Sequence, residues 1–529
     1  MGQPDSILKC KTCDTPVNSH KTIPSSPTPH LCRTIQTLDE SEVLILRKTL
    51  RDANSDLHGL HCDIARVQAI LDKLRLERES LCKFTIEHNA FLAPIRRLPM
   101  EILIKIFMHC MDYSRSTSNP QLAPSLISRV CKGWRQVALS TQELWSSITV
   151  THYQPSSAKV KLWISRASSA PLSIRLYPIN PQTLREAKIE PVIAVLVQHC
   201  DRWRHLDLRI GDTMVSCLSP IKHHLPWLES LRIRIPTHPL DVFEVALRLH
   251  NLVLGPGLLY PGFKVPWHQL THLDAHVTDI TQCLETLQLT PNLARCTLRN
   301  ESMLGSSTIL QHIPTLTFPH LHLFNMWCIH PDEIFRHLQL PVIHTLRIVY
   351  RDERWKKYKN LKWFSRQPFM TFLSSHTLCK LALGILDQPE DSGHIAHCLR
   401  ATPSLKELSL RGSGSWVTAD FLCLLTRQAN IDELVPGLEI LEISDYRIPC
   451  YHSTSMIESR WHIGEGNDDT RARLKRLRFE MSWTEDWLVD AEILNRLRKC
   501  QQEGMVISII DIVDDNNDLL DIPYTSPVT

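Results

Sequence analysis

The sequence predicts a mixed α/β chain, in which a coiled-coil helix and a small all-α unit of three helices precede an α/β solenoid with a curved parallel sheet. Three observations predict this fold class. A seven-residue hydrophobic repeat runs through residues 43–81, a short apolar helical segment begins near residue 100, and a six-residue apolar motif then recurs eleven times. At 529 residues the chain exceeds one ordinary domain, so we expect several units or an elongated array.

The composition is that of a folded protein from a reducing compartment. Hydrophobic residues make up 43% of the chain, which excludes a disordered protein, and the net charge of +3 provides no global attraction for nucleic acid or acidic membranes. The 17 cysteines are odd in number and scattered, so we expect no disulfide framework. No apolar run approaches the ~18 residues that span a bilayer. We therefore expect a cytoplasmic or nuclear protein that does not contact a membrane.

Both ends of the chain are expected to be disordered. Residues 1–37 are rich in Pro, Ser, Thr, Lys and His without apolar periodicity, and residues 516–529 form a polar tail. Cys10 and Cys13 form a C-x-x-C pair of the kind that binds zinc. The further ligands available to that pair are His20, His30 and Cys32. Because no matching second pair follows in the sequence, we assign no metal and no cofactor.

Residues 40–90 are predicted to form one coiled-coil helix. Apolar residues seven apart form one row and a second row lies three positions on, which is the a/d pattern of a coiled coil. The first row is Val43, Leu50, Leu57, Ile64 and Leu71, and the second row is Leu46, Ala53, Leu60, Val67, Leu74 and Leu81. We call these eleven residues the heptad seam. The pattern leaves two interpretations open: self-association of two chains, and packing of the helix on its own protein.

A new unit is predicted over residues 94–150. Pro94 ends the long helix, because the residue before a proline avoids the helical conformation. Pro99 suits the first turn of a second helix, and Glu101 places negative charge at the N-terminus of that helix. Beyond a polar linker, the residues expected on one face of the next helix are Leu126, Val130, Trp134, Val137 and Ala138. Three short helices bury only a thin core, so apolar surface should remain for a partner.

Three motifs in this unit resemble an F-box. They are Leu98-Pro99-x-Glu101-Ile102-Leu103-x-x-Ile106-Phe107, then Arg129-Val130-Cys131-Lys132-x-Trp134-Arg135-x-Val137-Ala138, then Leu144-Trp145. Each motif alone is common, but the three in this order and spacing are specific to that family. With the preceding coiled coil, the region resembles the F-box proteins of mushroom-forming fungi.

The resemblance implies a docking module for the Skp-type linker of cullin-RING ubiquitin ligases. The residues implied to enter the hydrophobic groove of the linker are Leu98, Pro99, Ile102, Leu103, Ile106 and Phe107. Those implied to complete the interface, or the core beneath it, are Val130, Trp134, Leu144 and Trp145. The implied function is a substrate-recognition adaptor of an SCF-type E3 ubiquitin ligase in ubiquitin-dependent protein degradation, a subunit that is not itself an enzyme.

Residues 158–515 are predicted to form an irregular leucine-rich repeat domain. Copies of the motif, with apolar residues at positions one, four and six, start at residues 203, 228, 249, 270, 293, 321, 343, 378, 405, 438 and 474. This spacing is close to the period of leucine-rich repeats, so each copy should form one strand of a parallel sheet. Residues 170–176 and 505–512 are expected to add strands at the two ends, and residues 350–370 and 446–471 are expected to form longer loops.

Alternation along the strands places the candidate ligands on one open face of the sheet. Side chains between the buried leucines point to that face, where arginines dominate the early repeats. The candidates for binding a protein substrate are Arg209, Arg232, Arg234, Arg299 and Arg347. Guanidinium groups bind acidic or phosphorylated segments through charge-assisted hydrogen bonds. The alternative is that these side chains are ordinary solvated charges.

Two other classes of function compete with the adaptor. Enzyme activity is not expected, because the sequence has no GxxxxGK, HExxH or GxSxG motif. A repeat scaffold without ubiquitin transfer, which dimerises through the coiled coil, is the alternative function. Nucleic-acid binding needs an interleaved basic and aromatic surface, for which residues 351–366 are the one candidate, and we expect none.

Overall fold

A computed structural model gives the fold as two compact units, residues 1–103 and 104–529. Structural statements below refer to the residues that the structure describes. These are 8–9, 16–17, 23–29, 37–111, 123–151, 156–177, 189–209, 212–234, 240–256, 263–300, 314–327, 334–348, 367–386, 389–412, 416–428, 433–444, 450–462, 472–481 and 491–511.

One long helix dominates the first unit. Strands β1 (Leu8–Lys9) and β2 (Pro16–Val17) pair antiparallel, and helix α1 (Glu40–Leu92) follows, two residues longer than predicted. A capping box starts α1: the Asp39 carboxylate accepts the Glu42 N–H at 2.7 Å, and the Glu42 carboxylate accepts the Asp39 N–H at 3.1 Å. The helix ends before a 3-10 turn, Pro94–Arg97, as proline requires.

Three short helices follow α1. They are α2 (Met100–His109), α3 (Ala123–Ile127) and α4 (Lys132–Ser140). The prediction of one helical face running from Leu126 to Ala138 is wrong, because the chain turns between α3 and α4. Cys131 is extended there, with φ −156°, and its Sγ accepts the Trp134 N–H at 3.4 Å, which starts a new helix.

A 14-stranded parallel sheet forms the body of the second unit, counted over the described ranges. Its strands follow chain order, and each pairs in parallel with the next. They are β3 (Ser147–Thr151), β4 (Leu172–Tyr177), β5 (Trp203–Arg209), β6 (Ser230–Arg234), β7 (Asn251–Leu254), β8 (His272–Val277), β9 (Arg295–Asn300), β11 (Leu323–Trp327), β13 (Thr345–Ile348), β14 (Lys380–Leu386), β15 (Glu407–Gly412), β16 (Ile440–Ser444), β17 (Arg476–Met481) and β18 (Val506–Asp511). Strands β10 (Leu316–Thr317) and β12 (Leu338–Gln339) pair separately.

The prediction of a long parallel sheet is confirmed. Each of the eleven motif copies contains one strand, and the two end segments become β4 and β18. The sheet starts earlier than residue 158, where the repeat domain was predicted to begin. Ser147 opens β3, and Ile148 and Val150 are buried beside β4, because Ile148 aligns with Ile174.

The sheet core is a set of aligned apolar side chains. Leu206, Leu231, Leu252 and Leu273 lie side by side on four successive strands, and all four are buried. Neighbouring strands lie about 4.8 Å apart, so each leucine packs directly on the next one. The alternating positions remain half-buried or exposed, which makes one open face.

Helices connect many of the strands. They are α5 (Ser157–Ala167), α6 (Glu190–Val197), α7 (Ile280–Leu289), α8 (Gln367–Ser375), α9 (Pro389–Arg400), α10 (Ala419–Leu425), α11 (Cys450–Trp461) and α12 (Ala491–Gln502). The loop expected over residues 446–471 is thus corrected, since it contains α11. Residues 349–366, which include the basic and aromatic segment, lie outside the described residues. Across the described ranges, no helix is both long enough and apolar enough to span a bilayer.

Candidate protein-docking site

The apolar face of α2 divides into an inner and an outer line. Leu103 and Phe107 are buried, and Phe107 has only 1% of its surface exposed. Ile102 is 40% exposed, and Ile106 is half-buried. Residues four apart lie on one line of a helix, and each of these pairs is four apart. The wide apolar stripe therefore supplies one line to the interior and leaves the other partly in solvent.

Aromatic packing fixes the interior of the helical unit. The Phe107 and Trp134 rings lie 5.0 Å apart at 56°, which joins α2 to α4. Leu144 and Trp145 are fully buried in the 3-10 turn after α4 (Gln142–Trp145), and the Trp145 Nε1–H donates to the Ala138 carbonyl at 2.8 Å. The buried indole N–H of Trp145 therefore has a hydrogen-bond partner.

Trp145 also joins the helical unit to α5. Its ring meets the Trp163 ring edge to face, with centroids 5.0 Å apart. The Arg166 guanidinium lies 4.3 Å above the Trp145 ring centroid, and burial lowers the pKa of Arg166. Trp145 therefore packs against two residues of α5, Trp163 and Arg166.

Several large apolar side chains of the helical unit stay exposed. They are Ile95, Met100, Ile102, Leu126, Val130 and Leu139. Val130 has 57% of its surface exposed although it lies in the turn that joins α3 to α4. Single exposed apolar side chains are ordinary, but several in a short stretch of one unit, such as Leu126, Val130 and Leu139 of the second unit, are typical of a surface that another protein covers.

The sequence-predicted docking residues fall into three classes of exposure. Pro99, Ile102 and Val130 are exposed, whereas Leu98, Ile106 and Trp134 are half-buried. The buried members are Leu103, Phe107, Leu144 and Trp145. Sequence reasoning did not include Met100, Leu126 or Leu139. Leu126 directly precedes the buried Ile127, and adjacent residues of a helix point about 100° apart, which is the signal that would have found it.

The five predicted substrate-binding arginines all lie on the open face of the sheet. Arg209, Arg232 and Arg234 are exposed, whereas Arg299 and Arg347 are half-buried. Arg232 aligns with Asp207 of the neighbouring strand, and Arg209 aligns with Arg234. The stem of Arg234 lies against Gly255, where an added Cβ would come within 2.8 Å of the Arg234 Cγ.

Two carboxylates on the same face moderate the positive charge. Arg299 Nη2 lies 2.5 Å from Asp274 Oδ2, and its guanidinium covers the Trp327 ring at 4.7 Å. Asp207 accepts a hydrogen bond from the Tyr177 hydroxyl at 2.6 Å. Burial, and then the bond to Asp207, raises the pKa of Tyr177. Both aspartates occupy position five of the repeated motif, a signal that the sequence analysis did not use.

Arg347 lies in a different environment from the other arginines. Burial lowers its pKa, and the nearby charge of Arg411 lowers it further, while Glu442 acts in the opposite direction. Its Nε is buried, and no described group hydrogen-bonds to that atom. The five arginines therefore do not form one uniform basic groove.

The described residues contain no group of three or more His, Cys, Asp or Glu side chains arranged to hold a metal ion. The cysteines and histidines considered for zinc lie outside the described residues. They are Cys10, Cys13, His20, His30 and Cys32.

Comparison with known proteins identifies part of the helical unit. The F-box-like family model matches residues 95–151, so the chain carries an F-box-like domain there. The match contains all three sequence motifs, from Leu98 to Trp145. No curated protein matches the chain.

Proposed function

We propose that this chain is a substrate-recognition adaptor of an SCF-type ubiquitin ligase. In this proposal the F-box-like domain docks on a Skp-type linker, and the open face of the sheet binds a protein substrate. The observation that carries the proposal is the F-box-like match over residues 95–151, a segment whose large apolar side chains remain partly exposed. F-box domains typically bind Skp-type linkers of cullin-RING ligases, and they are generally non-catalytic.

Exposed and buried residues have different roles in this docking. Ile102 and Val130 are the candidates for direct contact, because covering an exposed side chain of this size contributes roughly 1 kcal/mol. Phe107 and Trp145 act from within, because they fix the positions of α2 and α4. Substituting the first pair should affect binding alone, whereas substituting the second pair should also affect folding.

We infer that the sheet is built from irregular leucine-rich repeats. Two features support this inference: strand order follows chain order, and the motif leucines align from strand to strand. Each repeat then buries its apolar residues only against its neighbours. On a long open face of this kind, the strands hold side chains at fixed spacings. One extended substrate can then contact side chains of many strands.

Docking can be tested by co-expression of the full chain with a Skp-type linker. The double variant Ile102→Asp, Val130→Asp places charges on the two exposed contacts and should reduce co-purification of the linker at least tenfold. A tenfold loss corresponds to about 1.4 kcal/mol, less than the cost of desolvating two carboxylates at an apolar interface. The readout is the linker-to-chain ratio after affinity capture and gel filtration.

A matched control lies outside the F-box-like domain. Leu162 on α5 is 48% exposed, comparable with Ile102 and Val130, so Leu162→Asp introduces the same charge at a similar apolar position. This variant should retain the linker fully. If the wild-type chain purifies without the linker, or if Leu162→Asp loses it equally, the adaptor proposal is wrong.

A repeat scaffold that dimerises through α1 is the second candidate function. The observation that favours it is the exposure of the heptad seam, where Leu57 and Ile64 are 52% and 64% exposed. A scaffold of this kind has no need of an F-box-like domain. Recovery of the linker with the wild-type chain therefore decides between the two functions.

A further inference from the structure

We propose that a cavity on the open face of β4, β5 and β6 binds an anionic side chain, a carboxylate or a phosphate, of a peptide segment. This inference rests on the proposed role of the sheet in binding a protein substrate, and it defines the chemistry of that substrate. The cavity has a volume of about 590 Å³. Arginines of three adjacent strands line it: Arg175 of β4, Arg209 of β5 and Arg232 of β6.

The strand register concentrates positive charge at this cavity. Asp207 lies between Arg175 and Arg232 in one cross-strand row. In the next row Arg209 lies directly opposite Arg234, and like charges in that arrangement destabilise a sheet. Within the described part of the chain, Asp207 is the one carboxylate that lines the cavity. A bound anion would therefore offset a repulsion that the fold leaves in place.

The guanidinium groups of Arg209 and Arg232 retain hydrogen-bonding capacity. Arg232 Nε lies 3.7 Å from Asp207 Oδ2, which is beyond hydrogen-bond length. Arg209 stacks on the Tyr177 ring, with its guanidinium carbon 4.6 Å from the ring centroid. Among the described residues, no carboxylate hydrogen-bonds to either arginine. Their N–H groups can therefore donate to a carboxylate or phosphate.

Asp207 indicates that the ligand also carries a hydrogen-bond donor. Its Oδ2 accepts the Tyr177 hydroxyl, whereas its Oδ1 is buried and has no hydrogen-bond partner among the described residues. Burying an acceptor that has no hydrogen-bond partner is unfavourable. A backbone N–H next to an acidic side chain would satisfy this oxygen while the side chain meets the arginines. This pairing favours a peptide over an isolated inorganic anion.

Two arginines elsewhere on the described part of the face have close carboxylate partners. Arg299 is neutralised by Asp274 at 2.5 Å, and Arg478 lies 2.9 Å from Glu480. An extended nucleic acid would meet these carboxylates along the face, whereas a peptide with one or two acidic side chains would need only the cavity. The charge pattern thus favours a local anion site in a protein substrate.

The inference can be tested by fluorescence anisotropy on the full chain at physiological ionic strength. The probes are three labelled peptides of one length, in which glycine alternates with glutamate, with phosphoserine or with glutamine. The wild-type chain should bind at least one anionic peptide about tenfold more tightly than the glutamine peptide. The glutamate and phosphoserine peptides distinguish a carboxylate from a phosphate as the preferred group.

The structure provides a matched pair of arginine variants. Arg209→Gln, Arg232→Gln should weaken anionic peptide binding about tenfold. Arg411→Gln, Arg478→Gln removes the same charge on β15 and β17 of the same face, and should leave the affinity within about twofold. Exposure is matched as well, since the side chains of Arg232 and Arg478 are 46% and 47% exposed.

A third variant separates the charge of Asp207 from its acceptor. Asp207→Asn keeps an oxygen for the Tyr177 hydroxyl but places an amide NH2 where Oδ1 would accept the peptide N–H. Loss of that acceptor weakens all three peptides alike, whereas loss of the negative charge favours only the anionic peptides, so the ratio of anionic to glutamine peptide affinity should rise about threefold. Misfolding cannot raise this ratio. Circular dichroism and the thermal midpoint of each variant establish that the sheet is retained.

Several outcomes would overturn the inference. They are equal binding of the glutamine peptide, equal losses in the two arginine double variants, an unchanged or lower ratio of anionic to glutamine peptide affinity in Asp207→Asn, and stronger competition by an oligothymidylate of equal charge than by the peptides. Co-purification of the Skp-type linker is measured on the same preparations. Linker binding without peptide binding would leave the adaptor proposal standing and reject the anion site, and the reverse result would reject the adaptor alone.

Discussion

In α2, two adjacent residues differ in whether they belong to the core or to the surface. Leu103 and Ile102 are both large and apolar, yet the first is buried and the second is 40% exposed. Residue type cannot separate them, because both satisfy an apolar motif position. The rotation of about 100° per helical residue separates them once the inward direction is known. That direction is set by Phe107, whose ring packs against Trp134.

Arg460 is a single buried residue that holds three segments together. Its side chain is fully buried in α11, where Nε donates to the Leu425 carbonyl and Nη2 to the Leu434 carbonyl, both at 2.6 Å. Nη1 donates to the Val435 carbonyl at 3.2 Å. Val435 has a φ of 47°, a left-handed conformation that β-branched residues rarely adopt. Burial lowers the pKa of Arg460 to about 10, so the group stays charged at neutral pH.

Replacing Arg460 with methionine should destabilise the second unit by about 3–5 kcal/mol. The substitution fills much of the space, but it leaves three buried carbonyls without this donor, and it removes the positive charge that lies 3.7 Å from Glu433. Urea unfolding monitored by circular dichroism measures the change. The control is Arg476→Met, at an exposed position of β17, which should change stability by less than about 0.5 kcal/mol. Equal stability of the two variants would show that the Arg460 bonds are dispensable.

At the scale of elements, α1 has an apolar seam along a largely exposed helix. Its 53 residues make it about 80 Å long, and Leu57, Ile64 and Leu81 are all more than half exposed. Parallel pairing of two copies would place Glu42 of one copy near Arg47 of the other, since g and e positions five apart meet in parallel coiled coils. The seam and these charges together favour self-association over a single helix.

Self-association of α1 predicts that the full chain is a dimer. Leu60→Glu with Val67→Glu introduces charge at two seam positions and should give a monomer in sedimentation velocity, because four carboxylates would face each other in the dimer. Leu44→Glu with Leu76→Glu adds the same charges at exposed apolar positions off the seam, and this variant should remain a dimer. A wild-type monomer at micromolar concentration would contradict the prediction.

At the scale of the whole molecule, the sheet of the second unit has a one-dimensional organisation. Each strand pairs only with its sequence neighbours in the sheet, from β3 to β18. Leu231 near one end and Leu477 near the other are both fully buried, but they share no neighbour. Stability in such an array is close to a sum of local and nearest-neighbour contributions. A destabilising substitution at one end of the sheet should therefore increase local unfolding near that end only.

Hydrogen exchange tests this locality in the intact chain. Leu477→Ala should cost about 2–5 kcal/mol locally and raise amide exchange in β16, β17 and β18, with little change in β5 to β7. Leu231→Ala should give the mirror pattern, because its cavity lies in β6. Uniform acceleration by either variant would show that the sheet unfolds as one cooperative body.

Local patterns in the sequence located the repeated strands, the long helix α1 and the F-box segment, but they did not locate β3 or α11. The motif copies predicted strands and one parallel sheet correctly, since each strand buries side chains of period two against neighbours of the same kind. The F-box motifs likewise marked residues 94–150, and residues 95–151 match the F-box-like family. These patterns lie within short stretches of the sequence. They can therefore be recognised without knowing which residues surround them in the folded chain.

The packing of helices and the register of strands settle which members of each pattern face solvent and which charges neutralise each other. Phe107 and Ile102 belong to one motif but differ in burial, and Arg299 and Arg209 share a face but differ in their carboxylate partners. Asp274 is 25 residues from Arg299 in the sequence, and their pairing follows from the register of β8 and β9. Contacts of this kind depend on the distances between strands and helices in the fold. A pattern of residue types along the sequence does not contain those distances.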